Sequence, residues 1–320
     1  MKWSFFDYLP VVININYPIF KKRVFFVSIS FSVLSLFFIF NSDNAFSQKY
    51  DHVEINNISI TDNVFTLTGK GGNVGLLLGS DGVLLIDDQF SSLTDKILYS
   101  LKKLTNDSVK FVVNTHWHPD YTDGNINFGK LGSEIVAHEK VREHLTSVQF
   151  IKFLDRKIDP YPNEGLPLIT YKDSITFHIN DEIVNIFHVP NAHTDGDSII
   201  HFIKNNVIHI GDVYVYNRYL FIDISSNGSI DGIIDAVKRV IPLFNDKTEI
   251  IPGHGNISNI NDIKNYLFML EDVRRNILSM INSGFSLTEI IDSKPTKKYD
   301  LIYGQSLLHL LILLKQYTTV

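Results

Sequence analysis

Apolar and polar positions alternate in short runs separated by turn residues over most of the chain, and a few longer stretches carry a helical period. From Val53 to about Asp88 the pattern is that of strands, and Ser80-Asp81-Gly82 between two apolar runs predicts a hairpin turn. Ser92 to Leu104 places Leu93, Ile97, Leu98, Leu101 and Leu104 on one face of an amphipathic helix. Phe111-Val112-Val113 reads as the end of a buried strand, and Ser133 to Ala137 as another. A helix is expected over Glu139 to Phe150, followed by a Pro- and Gly-containing loop, Arg156 to Leu168, overhanging what lies beneath.

The second half repeats this layout. Strands are expected at about Ser174 to Asn180, Glu182 to Val189, Ser198 to Ile203 and Val207 to Ile210, then a helix near Ile230 to Leu243 and a strand at Glu249 to Ile251. Helices at about Asn261 to Ser283, Leu287 to Asp292 and Tyr303 to Gln316 complete the pattern. Two similar halves with no linker predict an α/β fold: two sheets face to face, covered by helices.

The first 50 residues depart from it. Lys21-Lys22-Arg23, the apolar run Val24 to Phe40 and the small-x-small site Ala45-x-Ser47 have the three parts of a secretory signal. They predict an exported, periplasmic or secreted chain that starts near Gln48; the alternative is an uncleaved membrane anchor, since the run approaches bilayer-spanning length. The apolar stretch Met1 to Phe20 ahead of the cations is not needed by such a signal. The domain reading is therefore a leader over 1–47, a main domain over 48–256, and a helical extension over 257–320 packed on it.

With 44% hydrophobic and 20% charged residues in 320, the chain can bury a large core, and disorder is excluded as a general description. A net charge of −6 supplies no basic field, so nucleic acid is not an expected partner; a small molecule is. Cysteine is absent, so any metal must be held by His, Asp or Glu.

Candidate chemistry begins where the Phe111-Val112-Val113 strand ends. In Asn114-Thr115-His116-Trp117-His118-Pro119-Asp120-Tyr121, extended backbone would point both imidazoles to one side and Trp117 to the other, so that the pair can grip one ion. Pro119 then turns the chain and brings Asp120 to the same pocket. His193, Asp212 and His254 each directly follow an apolar strand too, which is how a rigid sheet scaffold gathers a site along its edge.

His116-x-His118-x-Asp120 followed in order by His193, Asp212 and His254 resembles the metallo-β-lactamase superfamily of metal-dependent hydrolases, over roughly residues 53 to 256. The resemblance implies a four-layer αβ/βα sandwich. It implies that His116, His118 and His193 hold a first Zn2+, that Asp120 and His254 hold a second, and that Asp212 bridges them. It further implies a zinc-activated water that attacks a carbonyl carbon, with Asp120 as the catalytic residue that orients it and relays its proton.

Two departures qualify this. Tyr121 stands where binuclear members carry a histidine, so one tightly bound zinc and a weaker second are expected. Asp212 stands where β-lactam-hydrolysing members often carry cysteine, which resembles the thioesterase and lactonase branches, whereas export favours an antibiotic-type substrate. A β-lactam-type amide, a lactone and a thioester all remain open. The alternative is a non-catalytic or mononuclear member of the same fold; a di-iron redox branch would carry Glu where this chain has His118.

The remaining histidines read as packing or surface: His178, His188, His201 and His209 lie in or beside strands, and His52, His138, His144 and His309 show no partner pattern. Asp87 and Asp88 could accept a hydrogen bond from a ligand imidazole, and Asn217 with Arg218 could bind a substrate carboxylate.

Overall fold

A computed structural model describes residues 50–151 and 155–304. The leader and most of the final expected helix, Tyr303 to Gln316, lie outside the described residues. None of the described helices is long and apolar enough to cross a membrane.

The first sheet contains β1 (Asn56–Ser59), β2 (Val64–Thr68), β3 (Val74–Leu77), β4 (Val83–Ile86), β5 (Val109–Asn114), β6 (Glu134–His138) and β9 (Ile169–Tyr171), in that spatial order. Its first four strands form an antiparallel meander, and β4, β5, β6 and β9 run parallel. Parallel strands need crossovers, which here are helical: α1 (Thr94–Leu101) between β4 and β5, and α2 (Pro119–Thr122) with α3 (Asn125–Lys130) between β5 and β6. After β6 comes α4 (Glu139–Leu145).

The second sheet is β10 (Ser174–Ile179), β11 (Glu182–His188), β12 (Ser198–Phe202), β13 (Val207–His209) and β14 (Glu249–Ile251), antiparallel except for the last pair. Between β13 and β14 lies α5 (Ile230–Val240); α6 (Ile260–Asn282), α7 (Leu287–Ser293) and α8 (Asp300–Tyr303) follow.

The two sheets face each other through branched aliphatic side chains. Leu84, Ile86, Val113 and Val136 of the first meet Val184, Ile186, Ile200 and Val207 of the second, all excluded from solvent. Residues of opposite parity on the second sheet, Ile199, Ile208 and Ile250, turn outward onto Ile233 and Val237 of α5 and Ile263, Met269 and Leu270 of α6. Each such side chain contributes roughly 1.5–3 kcal/mol of burial, which makes the sandwich a rigid frame for the loops at its edge.

At the opposite edge the expected β3–β4 hairpin is clasped to the turn between β10 and β11. Asn180 and Asp181 both take positive φ (55° and 56°), as a tight two-residue hairpin requires. The Asp81 amide donates to Asn180 Oδ1 at 2.9 Å, and the Asn180 amide donates back to Asp81 Oδ2 at 2.8 Å.

Three expectations need correction. The helix from Glu139 stops at Leu145 rather than Phe150, because Thr146, Ser147 and Val148 are poor helix formers and the His144 carbonyl accepts from the Ser147 amide and the Gln149 side chain instead of continuing the helix. Gln149–Ile151 is instead strand β7, paired antiparallel with β8 (Arg156–Ile158) inside the stretch expected to be loop. Pro119 opens a helix rather than a simple turn, since its fixed φ and missing N–H suit the first helical position.

Candidate metal centre

Each candidate ligand sits just past the carboxyl end of a strand: His116 and His118 after β5, His193 after β11, Asp212 after β13 and His254 after β14. The loop after β5 is held by a reciprocal amide pair, Asn114 with Asn125, at 3.0 and 2.9 Å. Trp117 packs into a cluster with Ala137, Val141, Leu145, Ile151 and Ile158, and its ring also meets the edge of His118 at 4.7 Å between centres. The His116 and His118 rings lie 4.9 Å apart, edge to face.

One ligand atom from each of His116, His118, His193 and Asp212 falls in a group whose members all lie within 4.8 Å of one another. Hydrogen bonds select which nitrogen each ring presents. His118 Nε2 lies 3.1 Å from Asp223 Oδ2, an acceptor, so Nε2 carries the proton and Nδ1 turns inward with its lone pair. His193 Nδ1 donates to the Phe221 carbonyl at 2.7 Å, so Nε2 turns inward. His116 Nδ1 lies 3.1 Å from the Thr115 hydroxyl, and its buried Nε2 has no hydrogen-bond partner among the described residues.

His118 Nδ1 and His193 Nε2 approach to 2.9 Å. With both outward nitrogens already donating, two lone pairs face each other at that distance and repel unless a cation lies between them. Asp212 Oδ2 is 3.5 Å from His193 Nε2 and 3.9 Å from His116 Nε2, near the roughly 3.3 Å that separates two donors on one tetrahedral zinc. The donor set therefore fits a metal ion.

Electrostatics agree. Burial, with the neighbouring His193 and His118, holds the His116 pKa well below the usual imidazole range. Burial also lowers His118, against the opposing pull of Asp223. Rings held neutral are rings able to bind metal. Asp223 is itself buried, yet the His118 hydrogen bond and the Ser225 and Ser226 hydroxyls keep its carboxyl well below the ordinary value.

Asp120 and His254 form a separate, more open pair, with Asp120 Oδ2 3.4 Å from His254 Nε2; Asp212 Oδ1 lies 3.6 Å from the same nitrogen. Both side chains are somewhat over a quarter exposed, at 29% and 28%, whereas His116 and His193 are at 1%. The paired residues thus stand at the mouth and the three-histidine nest at the floor. Burial pulls His254 down, but the Asp212 carboxylate and the Asp120 hydrogen bond outweigh it and raise its pKa to about 9.

Tyr121, the departure from the pattern at the position after Asp120, is wholly buried, and its hydroxyl donates to Asp212 Oδ1 at 2.5 Å. Asp87 does not touch a ligand imidazole: its carboxylate accepts from the Thr115 amide and hydroxyl, both at 2.8 Å, so its influence reaches His116 one hydroxyl removed. Asp88 lies buried, and among the described residues neither of its carboxylate oxygens accepts a hydrogen bond, from a ligand imidazole or otherwise. Arg218 is exposed, and its positive charge works against the rise in the His254 pKa.

Sequence reasoning missed Asp223. It also missed the pairing of His144 with Asp195 at 2.7 Å, and the stack of His138 on His188 at 3.8 Å between ring centres. The Asp223 signal was present as Asp223-x-Ser225-Ser226, a self-capping turn in which Asp223 accepts from the Ser225 amide.

A two-sheet sandwich whose strand ends gather three inward-facing imidazoles and a carboxylate defines a class: an α/β scaffold with a metal-binding edge. The chain belongs to the metallo-beta-lactamase superfamily, whose family model matches residues 67–254. Among solved structures, it is similar to a metallo-beta-lactamase from Pontibacter korlensis, at 17% identity and a TM-score of 0.58, over 68% of this chain and 100% of that one. The DIM-1 metallo-beta-lactamase matches at 17% identity and a TM-score of 0.55, over 68% and 98%. The sec-alkylsulfatase Pisa1 from Pseudomonas sp. matches at 14% identity and a TM-score of 0.61, over 83% of this chain and 50% of that one. At such identities the likeness is one of fold. Members of this superfamily are mostly hydrolases, which supports a hydrolase here.

Proposed function

We propose that the protein is an exported zinc-dependent hydrolase that opens a carbonyl bond, in a β-lactam-type amide, a lactone or a thioester. The observation that carries this reading is the convergence of His116 Nε2, His118 Nδ1 and His193 Nε2 while the outward nitrogens of His118 and His193 are committed to Asp223 and Phe221. These three, with Asp212, would hold the ion. A bound zinc supplies Lewis acidity toward a carbonyl and lowers the pKa of water.

The chain's own groups then divide the work. Asp223 and the Phe221 carbonyl fix the ring orientations, so no reorganisation is needed on binding. Asp120, at the mouth and beside His254, would accept a proton from the attacking water and return it to the leaving group. Arg218 offers an anionic substrate a counter-charge at the same mouth.

The test is a panel of β-lactams, lactones and glutathione thioesters on the purified mature protein, with metal analysis alongside. Turnover with bound zinc is expected, and His118→Ala should abolish turnover and lower zinc content; unchanged turnover in that variant would refute the assignment. Export is checked separately by mass spectrometry of the mature N-terminus, expected near Gln48, whereas recovery of intact residues 24–40 would count against cleavage.

A further inference from the structure

We infer that Tyr121 is a positioning residue that commits Asp212 to the three-histidine nest, so that the chain holds one metal ion rather than two. The inference rests on the metallo-hydrolase reading above and deepens it. Asp212 has two carboxylate oxygens with different surroundings. Oδ2 faces His193 and His116 at 3.5 and 3.9 Å, whereas Oδ1 accepts the Tyr121 hydroxyl at 2.5 Å. An oxygen that already accepts a short hydrogen bond is a weaker donor to a second cation, and the phenol itself, protonated, is no substitute for an imidazole.

The packing shows that this arrangement is built in. Tyr121 has no exposed surface, and its ring lies 4.2 Å from the His116 ring. A Cβ on Gly72 would overlap the Tyr121 ring, and one on Gly253 would overlap Asp212 Oδ1. Gly72 is held in place as its amide donates to the Asp120 carbonyl at 3.1 Å, and the neighbouring Asn73 amide donates to the Gly253 carbonyl at 2.7 Å. Both partners of the Tyr121–Asp212 bond therefore sit in glycine-lined cradles that the same two loops tie together. Among the described residues, what remains beside Asp212 for a second ion is Asp120 and His254 with a share of one occupied oxygen.

The experiment titrates the metal-free full chain with Zn2+ and reads stoichiometry by calorimetry and native mass spectrometry. The wild type should take up one equivalent at least about 100-fold more tightly than any second. Tyr121→His, which supplies a nitrogen donor and releases Oδ1, should take up two. Tyr121→Phe, which frees Oδ1 without supplying a nitrogen donor, should bind its first equivalent about tenfold more weakly because Asp212 loses its anchor. Two tight equivalents in the wild type, a folded Tyr121→His that stays at one, or an unweakened Tyr121→Phe would each overturn the inference. Should Tyr121→His fail to fold, the wild type and Tyr121→Phe still decide. A wild type that takes up no zinc at all would instead overturn the metallo-hydrolase reading on which this one stands.

Discussion

Asp223 Oδ2 lies 3.1 Å from His118 Nε2 although the two residues are 105 positions apart in the sequence. The carboxylate is held by Ser225 and by Ser226, whose hydroxyl also accepts from the Trp117 indole at 3.2 Å. One buried network thus sets the orientation of a ligand ring and of the tryptophan beside it. Carboxylate-to-histidine contacts of this kind fix the tautomer and make the inward nitrogen more basic.

Asp223→Asn is expected to weaken zinc binding by about 10–100-fold, because an amide can present its NH2 to His118 Nε2 and favour the wrong tautomer. Competition with a chromophoric chelator measures this directly. Affinity within a factor of two of wild type would show that the contact does not set the tautomer.

How much of this was legible in advance follows from the range over which each signal acts. The ligand-bearing loops could be located because an apolar β-branched run such as Phe111-Val112-Val113 announces its own end within a few residues. So could the hairpin at Ser80-Asp81-Gly82, where Gly82 takes φ 105°. The short helix at Pro119–Thr122 was not legible, because a proline after a strand suits a turn and a first helical position equally. Asp223, His144 with Asp195, and His138 with His188 were hidden for another reason: each pairing exists only once the sheets have packed, and no local pattern encodes its partner.

The His138–His188 stack gives an acid sensitivity that can be assigned. The two rings lie 3.8 Å apart and nearly parallel at 9°, and His138 Nδ1 accepts the Lys140 amide at 3.3 Å as the cap of α4. Burial, then the charge of His188, lowers the His138 pKa to about 4. The unfolded chain takes up this proton near pH 6.5, whereas the folded chain resists until about pH 4. Between those values the unfolded state binds more protons, so stability falls with falling pH across that window and the loss is complete below it. The loss is expected to be about 1–2 kcal/mol. His138→Asn keeps a capping side chain and removes the titration, so its denaturant midpoint should vary less between pH 7 and pH 4 than that of the wild type. Equal pH dependence in both proteins would place the sensitivity elsewhere.

Asp120 separates holding the ion from moving the proton. Its carboxylate faces His254 at the mouth and is absent from the tight group formed by His116, His118, His193 and Asp212. Burial works to raise its pKa, but His254 and then His118 keep it below the ordinary value, so it is an anion able to accept a proton at neutral pH. Asn has the same shape and cannot accept that proton. Asp120→Asn is therefore expected to lower kcat by about 10²–10⁴-fold while one equivalent of zinc stays bound with little change in affinity. Steady-state kinetics on the best substrate of the panel, paired with elemental analysis of the same preparation, reads both quantities. Loss of the tight zinc together with activity would mean that Asp120 belongs to the nest after all, and a kcat within tenfold of wild type would assign the proton relay to another group.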